Sequence, residues 1–259
     1  MVLTPSTQAE PQKTMAVQAQ PKFTFEEDQA SEKEIFLIYG EKGSGKTSAS
    51  FLFPGKIACL SFDRKSSIIK KNFFKNDERI KVYDAVKYWC EAPEEYMESS
   101  KVTYDYAVFL LDKIETKIKP DYILIDGLEI LEKIAEMIMR SNNRLKPFQG
   151  ISNMNVWKER QLLVRNIHNR ALRSCNKGII YTCYIKQKEI VEEGTTISKK
   201  DMPKWTDIII WQTDCVIRVE NEPKKEGGRK FIARIDNSKV ATFNTGDIID
   251  ITDKKEWKK

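Results

Sequence analysis

A run of five apolar residues that ends in a glycine-rich loop constrains this chain more than any other feature. The run, Ile35–Tyr39, has the length and the unbroken apolar character of a strand that is buried on both faces of a sheet. It leads into Gly40–Thr47, which satisfies the pattern GxxxxGK(S/T). Glycines let such a loop wrap around a phosphate and point backbone N–H groups at its oxygens. We call residues 40–47 the P-loop and predict that it binds phosphate.

The P-loop residues have predicted roles in binding a nucleoside triphosphate. The ammonium of Lys46 would contact the β- and γ-phosphates, and the hydroxyl of Thr47 would bind Mg²⁺. The helix that begins here would add the partial positive charge of its amino-terminal end. The other predicted binding residues are Gly40, Glu41, Lys42, Gly43, Ser44 and Gly45.

A second apolar run ends in an acid that would complete a magnesium site. Tyr122–Asp126 consists of four apolar residues and an aspartate, and Gly127 interrupts the pattern directly afterwards. Proteins commonly hold Mg²⁺ through one or two carboxylates together with the phosphates of the substrate. We therefore predict that Asp126 lies beside Thr47 and binds Mg²⁺ with it. The local alternative is that Asp126 only caps a helix that begins near Leu128.

Strand and helix patterns alternate along the chain after the P-loop. Leu128–Met139 and Val156–Leu172 have apolar residues at helical intervals. Alternation of this kind predicts an α/β fold with a mostly parallel central sheet and helices on both faces, to which the late runs add antiparallel strands. The strand-like runs are Ile57–Phe62, Ile80–Tyr83, Tyr122–Ile125, Ile179–Tyr184, Val216–Val219 and Phe231–Ile235.

Composition predicts one folded domain with less regular ends. Residues 1–33 are rich in Gln, Pro, Thr and Ala without periodicity, which favours a flexible arm. We place a single domain at residues 34–252 and a charged tail at residues 253–259. The five cysteines are widely separated and form no CxxC pair, so neither a zinc site nor a disulfide framework is indicated.

Charge and hydropathy indicate the expected compartment and partners. No apolar run approaches the roughly 20 residues of a membrane span, and the amino terminus lacks the pattern of a secretory signal. We therefore expect a soluble cytoplasmic protein without a membrane partner, in the host cytoplasm if it is viral. The chain has 44 Lys and Arg against 38 Asp and Glu, and its net charge of +6 weakly favours an anionic partner such as nucleic acid.

The residues after Asp126 narrow the class of nucleotide-binding protein. GTPases need an NKxD-type base reader and a DxxG motif, and neither is present around Asp126 or elsewhere. An ABC signature is absent, and Gly127 stands where AAA+ and DEAD-type enzymes usually have glutamate. The chain also continues past the point at which small-molecule kinases usually end. ATP is therefore the expected nucleotide, and a RecA-like motor is the favoured class.

Two later segments resemble RecA-like ATPases, and the resemblance covers residues 34 to about 252. Ile180–Lys188 resembles the strand that ends in a γ-phosphate sensor and continues into a DNA-binding loop, with Tyr184 where the sensor is commonly Gln or His. Asn237–Phe243 resembles the segment whose lysine, here Lys239, reaches the ATP of a neighbouring subunit. The compact chain is most similar to phage-encoded RecA-like proteins associated with single-strand annealing recombination.

The resemblance implies a DNA-dependent ATPase that acts on single-stranded DNA. It implies a homo-oligomer with ATP and Mg²⁺ at subunit interfaces, in which Lys46 and Lys239 stabilise the transition state. A single-strand-binding or annealing protein would be a further partner. The family's water-activating carboxylate corresponds to Asp63, at the end of the strand after the first helix, and Glu129 is the alternative.

Two basic segments are candidates for DNA contact by analogy with the family. Cations that follow a phosphate chain and aromatic rings that stack on bases are the chemistry of single-strand binding. Solvated loop charge around a buried aromatic residue explains the same pattern equally well. One segment runs from Arg140 through Arg144, Lys146 and Phe148 to about Asn155, and the other from Lys188 through Lys199, Lys200 and Lys204 to Trp205.

Two other functions remain open at this point. One is a packaging or translocating motor that acts on double-stranded nucleic acid. The other is a switch that binds ATP and hydrolyses it weakly, which is favoured by the departures from the RecA pattern at Asp63 and Tyr184.

Overall fold

The computed structural model of the protein describes residues 33–192, 195–204, 209, 212–224, 227–254, 256 and 257, and of residues 188–200 it describes the backbone alone. The predicted flexible arm at residues 1–33 therefore lies outside the described residues, apart from Lys33.

Nine strands of the described chain form one sheet, with five helices around it. The strands are β1 (Glu34–Gly40), β2 (Ile57–Ser61), β3 (Ile80–Asp84), β4 (Tyr122–Asp126), β5 (Gly178–Glu192), β6 (Thr195–Pro203), β7 (Cys215–Pro223), β8 (Arg229–Ser238) and β9 (Ile248–Asp250). The helices are α1 (Lys46–Phe51), α2 (Ser66–Phe73), α3 (Tyr96–Lys117), α4 (Leu128–Asn142) and α5 (Trp157–Ser174).

The sheet is mostly parallel, and this determines where a site can form. Its order is β3-β2-β4-β5-β1-β7-β8-β9, with β6 paired to the outer part of β5. The strands from β3 to β7 in this order are parallel, whereas β8, β9 and β6 are antiparallel to their neighbours. The predicted α/β fold with late antiparallel strands is confirmed. In such sheets ligands bind at the carboxyl ends of the parallel strands.

Alternate residues of β1 serve two cores, one on each face of the sheet. Leu37 and Tyr39 pack with α3, α4 and α5 on one face. Phe36 and Ile38 pack with α1 and the carboxyl-terminal residues on the other. This two-residue alternation of a fully buried strand explains the unbroken apolar run in the sequence. Among the described residues, no helix combines the length and apolar character needed to cross a bilayer.

The carboxyl-terminal segment belongs in part to the core, which differs from the predicted charged tail at residues 253–259. Trp257 is 5% exposed. Its indole N–H donates to the carbonyl oxygen of Ala49 in α1 at 3.0 Å. Its ring contacts Phe53 and Phe243. The surrounding lysines and acids dominate the local composition, so the sequence pattern did not reveal that one aromatic residue among them is buried.

His168 of α5 is the only histidine of the chain and is completely buried. Its Nδ1 lies 2.7 Å from the hydroxyl oxygen of Tyr181 in β5. Burial, with a smaller contribution from Arg165, lowers the pKa of His168 from 6.5 to about 4. Because the folded pKa lies below the unfolded one, the stability contributed by the neutral ring is lost as pH falls from about 6.5 toward 4.

We expect His168→Gln to remove this loss of stability on the acid side. A depression of about 2.5 pH units corresponds to about 3 kcal/mol of unfolding free energy. The difference in stability between wild type and variant should change by about that amount between pH 7 and pH 4, which urea denaturation measures. Asn169→Gln, at the exposed neighbouring position, is the control. A difference that stays constant with pH would contradict the assignment.

Candidate active site

The P-loop lies where β1 ends, at the carboxyl edge of the sheet. Gly43 and Gly45 have positive φ angles of 79° and 96°, which residues with a side chain rarely adopt. A Cβ on Gly45 would also lie 2.9 Å from a ring carbon of Phe231. The glycine at position 45 is therefore required by its backbone conformation and by its contact with β8.

Asp126 lies beside Thr47, as the sequence predicts. The Thr47 hydroxyl oxygen is 3.1 and 3.0 Å from the two carboxylate oxygens of Asp126. The hydroxyls of Ser66 and Thr182 each donate to the same carboxylate at 2.6 Å. Asp126 does not cap α4, whose amino-terminal cap position is Gly127 without a side-chain hydrogen bond. The local capping alternative is therefore wrong.

The environment of Asp126 fits a bound cation. The residue is 2% exposed, and burial, with repulsion from Asp63, raises its pKa to about 6. A nearby positive charge would favour the ionised form of such a carboxylate. Hydroxyl and carboxylate oxygens are ligands that Mg²⁺ prefers, and the ion usually keeps waters and substrate phosphates in its remaining positions. Thr47 and Asp126 together would hold Mg²⁺ in this way.

The ammonium of Lys46 is held within the P-loop. It donates to the carbonyl oxygens of Gly40 at 3.0 Å and Glu41 at 2.7 Å. It also lies 4.3 Å from the ring centroid of Tyr184, a cation–π contact. Burial lowers the pKa of Lys46, and the charges of Glu129 and Asp126 oppose that shift. The predicted sensor position thus contacts the P-loop lysine directly.

Tyr184 and Glu129 are joined at the wall of the site. Tyr184 of β5 is the register partner of Gly40 in β1, and its backbone N–H donates to the carboxylate of Glu129. Burial raises the pKa of Glu129. At this position β5 therefore presents an aromatic ring to Lys46, whereas a glutamine would present an amide.

The two predicted water-activating carboxylates both lie next to Asp126. Asp63 is partly exposed, and one of its oxygens accepts the backbone N–H of Lys65 at 3.0 Å. Glu129 is 7% exposed and accepts the N–H described above. A Cβ on Gly127 would lie 3.2 Å from the backbone nitrogen of Asp63, so a glycine there lets the ends of β2 and β4 approach. Asp63 is the more accessible of the two carboxylates to water.

Lys239 lies at the opposite edge of the sheet from the P-loop. Ser238 pairs with Cys215, which pairs with Phe36 near the start of β1. The Lys239 side chain is exposed, and its backbone N–H donates to the carbonyl of Asp214 at 2.7 Å. The structure therefore does not bring Lys239 to the P-loop of its own chain.

A cavity of about 1540 Å³ opens at the carboxyl edge of the sheet. Its polar lining comes from P-loop residues and from Asp63, Asp126 and Glu129. Its apolar lining includes Phe74, Phe231 and Ile251. Polar and apolar walls in one cavity suit a ligand with a charged group and a planar apolar group, as a nucleotide has.

A family model described as an AAA domain matches residues 32–247. The chain belongs to this AAA domain family. No curated protein matches it. Membership of the family identifies the chain as a P-loop ATPase that binds and hydrolyses ATP. The glycine that follows Asp126 therefore does not exclude an AAA domain, contrary to the expectation from the sequence.

Sequence reasoning missed several residues around the P-loop of this AAA domain. Thr182 is the register partner of Asp126, and a polar residue near the end of an apolar strand was the available signal. Ser66 had no comparable signal, because it reaches Asp126 from the start of α2. Asn221 of β7 donates to the carbonyl of Gly43 at 2.9 Å. The two residues are far apart in sequence, so no local pattern indicates this contact.

The first predicted DNA-contact segment of the AAA domain needs one correction. Arg140 is 8% exposed, pairs with Glu136 at 2.7 Å and donates to the carbonyl of Gln149 at 2.7 Å. Its guanidinium organises the turn after α4, so the prediction that it contacts DNA is wrong. The other cationic and aromatic residues named for this segment, Arg144, Lys146 and Phe148, are exposed, the last of them 78%.

The second predicted DNA-contact loop is a β-hairpin. β5 continues past the sheet and pairs with β6 from Ile185 and Pro203 outward. Residues 190–197 include Ile190, Val191 and Ile197, whose branched side chains favour strands, so the expectation of a loop is wrong. Lys186 and Lys204, at the base of the hairpin, are exposed. The side chains of Lys188, Lys199, Lys200 and Trp205 lie outside the described residues.

Proposed function

We propose that this AAA domain is a RecA-like, DNA-dependent ATPase that acts on single-stranded DNA in recombination, repair or replication. The continuity of β5 supports the proposal most directly. Within the sheet, Thr182 donates to Asp126 and Tyr184 covers Lys46. Two residues further on, Lys186 is exposed at the base of the hairpin. One strand therefore links the ATPase site to a basic element outside the sheet.

This link gives a physical route from nucleic acid to the ATPase site. Lys186 and Lys204 would contact phosphates, and the exposed ring of Phe148 would stack on a base. A shift of the hairpin would move the backbone of Tyr184, whose N–H is bonded to Glu129. DNA binding would thereby alter the surroundings of both Glu129 and Lys46.

The residues of the proposed active site divide the chemistry among them. When bound, ATP and Mg²⁺ supply the reacting triphosphate and the metal charge that neutralises it. Lys46 adds an ammonium, while Thr47 and Asp126 hold the metal. Asp63, or Glu129 in its place, orients the attacking water and accepts its proton.

The position of Lys239 supports a head-to-tail oligomer with ATP at the subunit interfaces. The lysine is exposed at the edge remote from its own P-loop, as a residue that acts on a neighbouring site must be. Contacts between two different edges of identical chains generate rings or filaments. The resemblance to phage RecA-like proteins supports a single-strand-binding or annealing protein as an additional partner.

We expect single-stranded DNA to stimulate ATP turnover more than double-stranded DNA does, since stacking on Phe148 requires unpaired bases. Turnover per chain should also rise with protein concentration. A coupled ATPase assay with each DNA, run beside size-exclusion chromatography, measures both effects. Identical turnover with and without single-stranded DNA at every concentration would contradict the proposal. Stronger stimulation by double-stranded DNA would favour a packaging or translocating motor.

A switch with weak hydrolysis is the second candidate, and it has a specific observation in its favour. The carboxylates of Asp63 and Glu129 each accept a backbone N–H, and this bond competes with the attacking water for the lone pairs of the carboxylate. Tight ATP binding with near-zero turnover, even with single-stranded DNA present, would identify this function.

A further inference from the structure

We propose that α2 and the residues beside it form an additional binding surface for single-stranded nucleic acid, at the rim of the ATPase cavity that Lys65, Phe73 and Lys75 also line. This surface, which we call the α2 surface, comprises residues 64–75. The inference extends the proposed function, because it adds a contact outside the two segments considered above.

The charged residues of the α2 surface are all positive. Five cations lie within these twelve residues and no acid does: Arg64, Lys65, Lys70, Lys71 and Lys75. Within the described part of the chain, none of the five forms an ion pair with a carboxylate. Arg79, just beyond the surface, pairs with Asp77 at 2.8 Å and with Glu256 at 3.4 Å. The ammonium groups of Lys65, Lys70, Lys71 and Lys75 are thus available to an anionic ligand, whereas the guanidinium of Arg64 is bonded to backbone carbonyls.

Two apolar side chains are exposed among these cations. Phe73 is 73% exposed and Ile68 is 60% exposed. The adjacent Phe74 instead packs on Phe51, with ring centroids 5.3 Å apart. The outward ring of Phe73 forgoes the stabilisation that burial of a phenylalanine provides. An exposed ring beside lysines is the arrangement that binds bases and phosphates of a single strand.

The arrangement is unlike that of a membrane-binding helix. α2 has eight residues, and Ile68 and Phe73 are about 140° apart around its axis at 3.6 residues per turn. Interfacial helices bury one continuous apolar face. The apolar face of α2 that includes Ile69 and continues into Phe74, directly after the helix, already packs on the core.

The α2 surface is fixed in position relative to the cavity. Its first residue, Arg64, has a positive φ of 62°, and its guanidinium donates to the carbonyls of Val86 at 2.8 Å and Trp89 at 3.1 Å. Ser66, at the start of α2, donates to Asp126. A strand bound to α2 would therefore act on the element that supports the proposed metal ligand.

The test is the salt dependence of binding to a fluorescent oligo(dT) of about 30 nucleotides, measured by anisotropy. Each phosphate contact in a single strand contributes about 0.7 to the slope of log K against log salt, so Lys70→Glu with Lys71→Glu should reduce the slope by about 1.4 or more. Phe73→Ala should weaken binding by at least about fivefold at constant salt. Lys117→Glu with Lys119→Glu, a matched exposed pair near the amino edge of β4, should leave the slope unchanged.

The outcomes separate this inference from the proposed function. Circular dichroism and fluorescent-ATP binding are measured for every variant, because folded variants that bind ATP are needed for comparison. Unchanged oligo(dT) affinity and slope in the α2 variants, with wild-type turnover still stimulated by DNA, would overturn only the α2 surface. If wild type does not bind oligo(dT), both proposals fail. If the α2 variants lose binding to phosphatidylserine vesicles and keep oligo(dT) binding, the surface is a membrane contact and the inference is wrong.

Discussion

Replacing Lys46 by alanine is expected to reduce ATP turnover by about 10²- to 10³-fold or more, the usual cost of removing one group that stabilises transition-state charge. Lys46 is the cation that the structure holds within the P-loop, bonded to Gly40 and Glu41. Fluorescent-ATP titration and a coupled ATPase assay separate binding from turnover.

Lys42→Ala is the matched control for Lys46. Lys42 lies in the same loop, lines the same cavity and is exposed. Its ammonium has no hydrogen bond to the loop carbonyls that bind Lys46 within the described structure. Turnover within about threefold of wild type is expected. An equal loss in both variants would show that general positive charge matters and would contradict the specific role of Lys46.

Replacing Lys239 by alanine is expected to reduce turnover by about 10³-fold, the effect of a cation supplied in trans, with nucleotide affinity nearly unchanged. The side chain is exposed and remote from its own P-loop, so the substitution should alter stability by no more than about 0.5 kcal/mol. Lys117→Ala, another exposed lysine, is the control.

Mixing two inactive variants tests the arrangement in trans. In a mixed oligomer each site takes its P-loop from one chain and its Lys239 from the neighbouring chain. A site therefore contains both lysines when its P-loop comes from a Lys239→Ala chain and its Lys239 comes from a Lys46→Ala chain. Random assembly of equal amounts should restore roughly one quarter of the sites in a head-to-tail oligomer. No recovery in co-assembled mixtures, or loss of ATP binding in Lys239→Ala alone, would indicate that Lys239 has only a structural role.

The parallel sheet was predictable because its strands are buried on both faces. Runs such as Ile35–Tyr39 and Tyr122–Ile125 consist of apolar residues without interruption, and they can be recognised without tertiary information. In the hairpin of β5 and β6 the charged residues outnumber the branched ones, so the sequence pattern predicts a loop there. The sequence predicts a tail around Trp257 because its partners, Phe53 and Phe243, are distant in sequence.

The sequence predicts those parts of the candidate site that stand at the end of a buried strand. The P-loop and Asp126 each terminate a buried strand, and the structure brings them together. Ser66 and Asn221 were not predictable, because their contacts depend on how α2 and β7 pack against the P-loop. The sequence places Arg140 wrongly among DNA contacts, because charge in a sequence does not show whether a guanidinium is already bonded to carbonyls of its own turn.

The hydrogen bond from Trp257 to Ala49 has a practical consequence for work with this protein. Ala49 belongs to the short helix that carries Lys46 and Thr47, so Trp257 supports the helix on which catalysis would depend. An affinity tag or fluorophore fused directly behind Trp257 would press on that contact. Labels for kinetic measurements are better attached to the amino-terminal end.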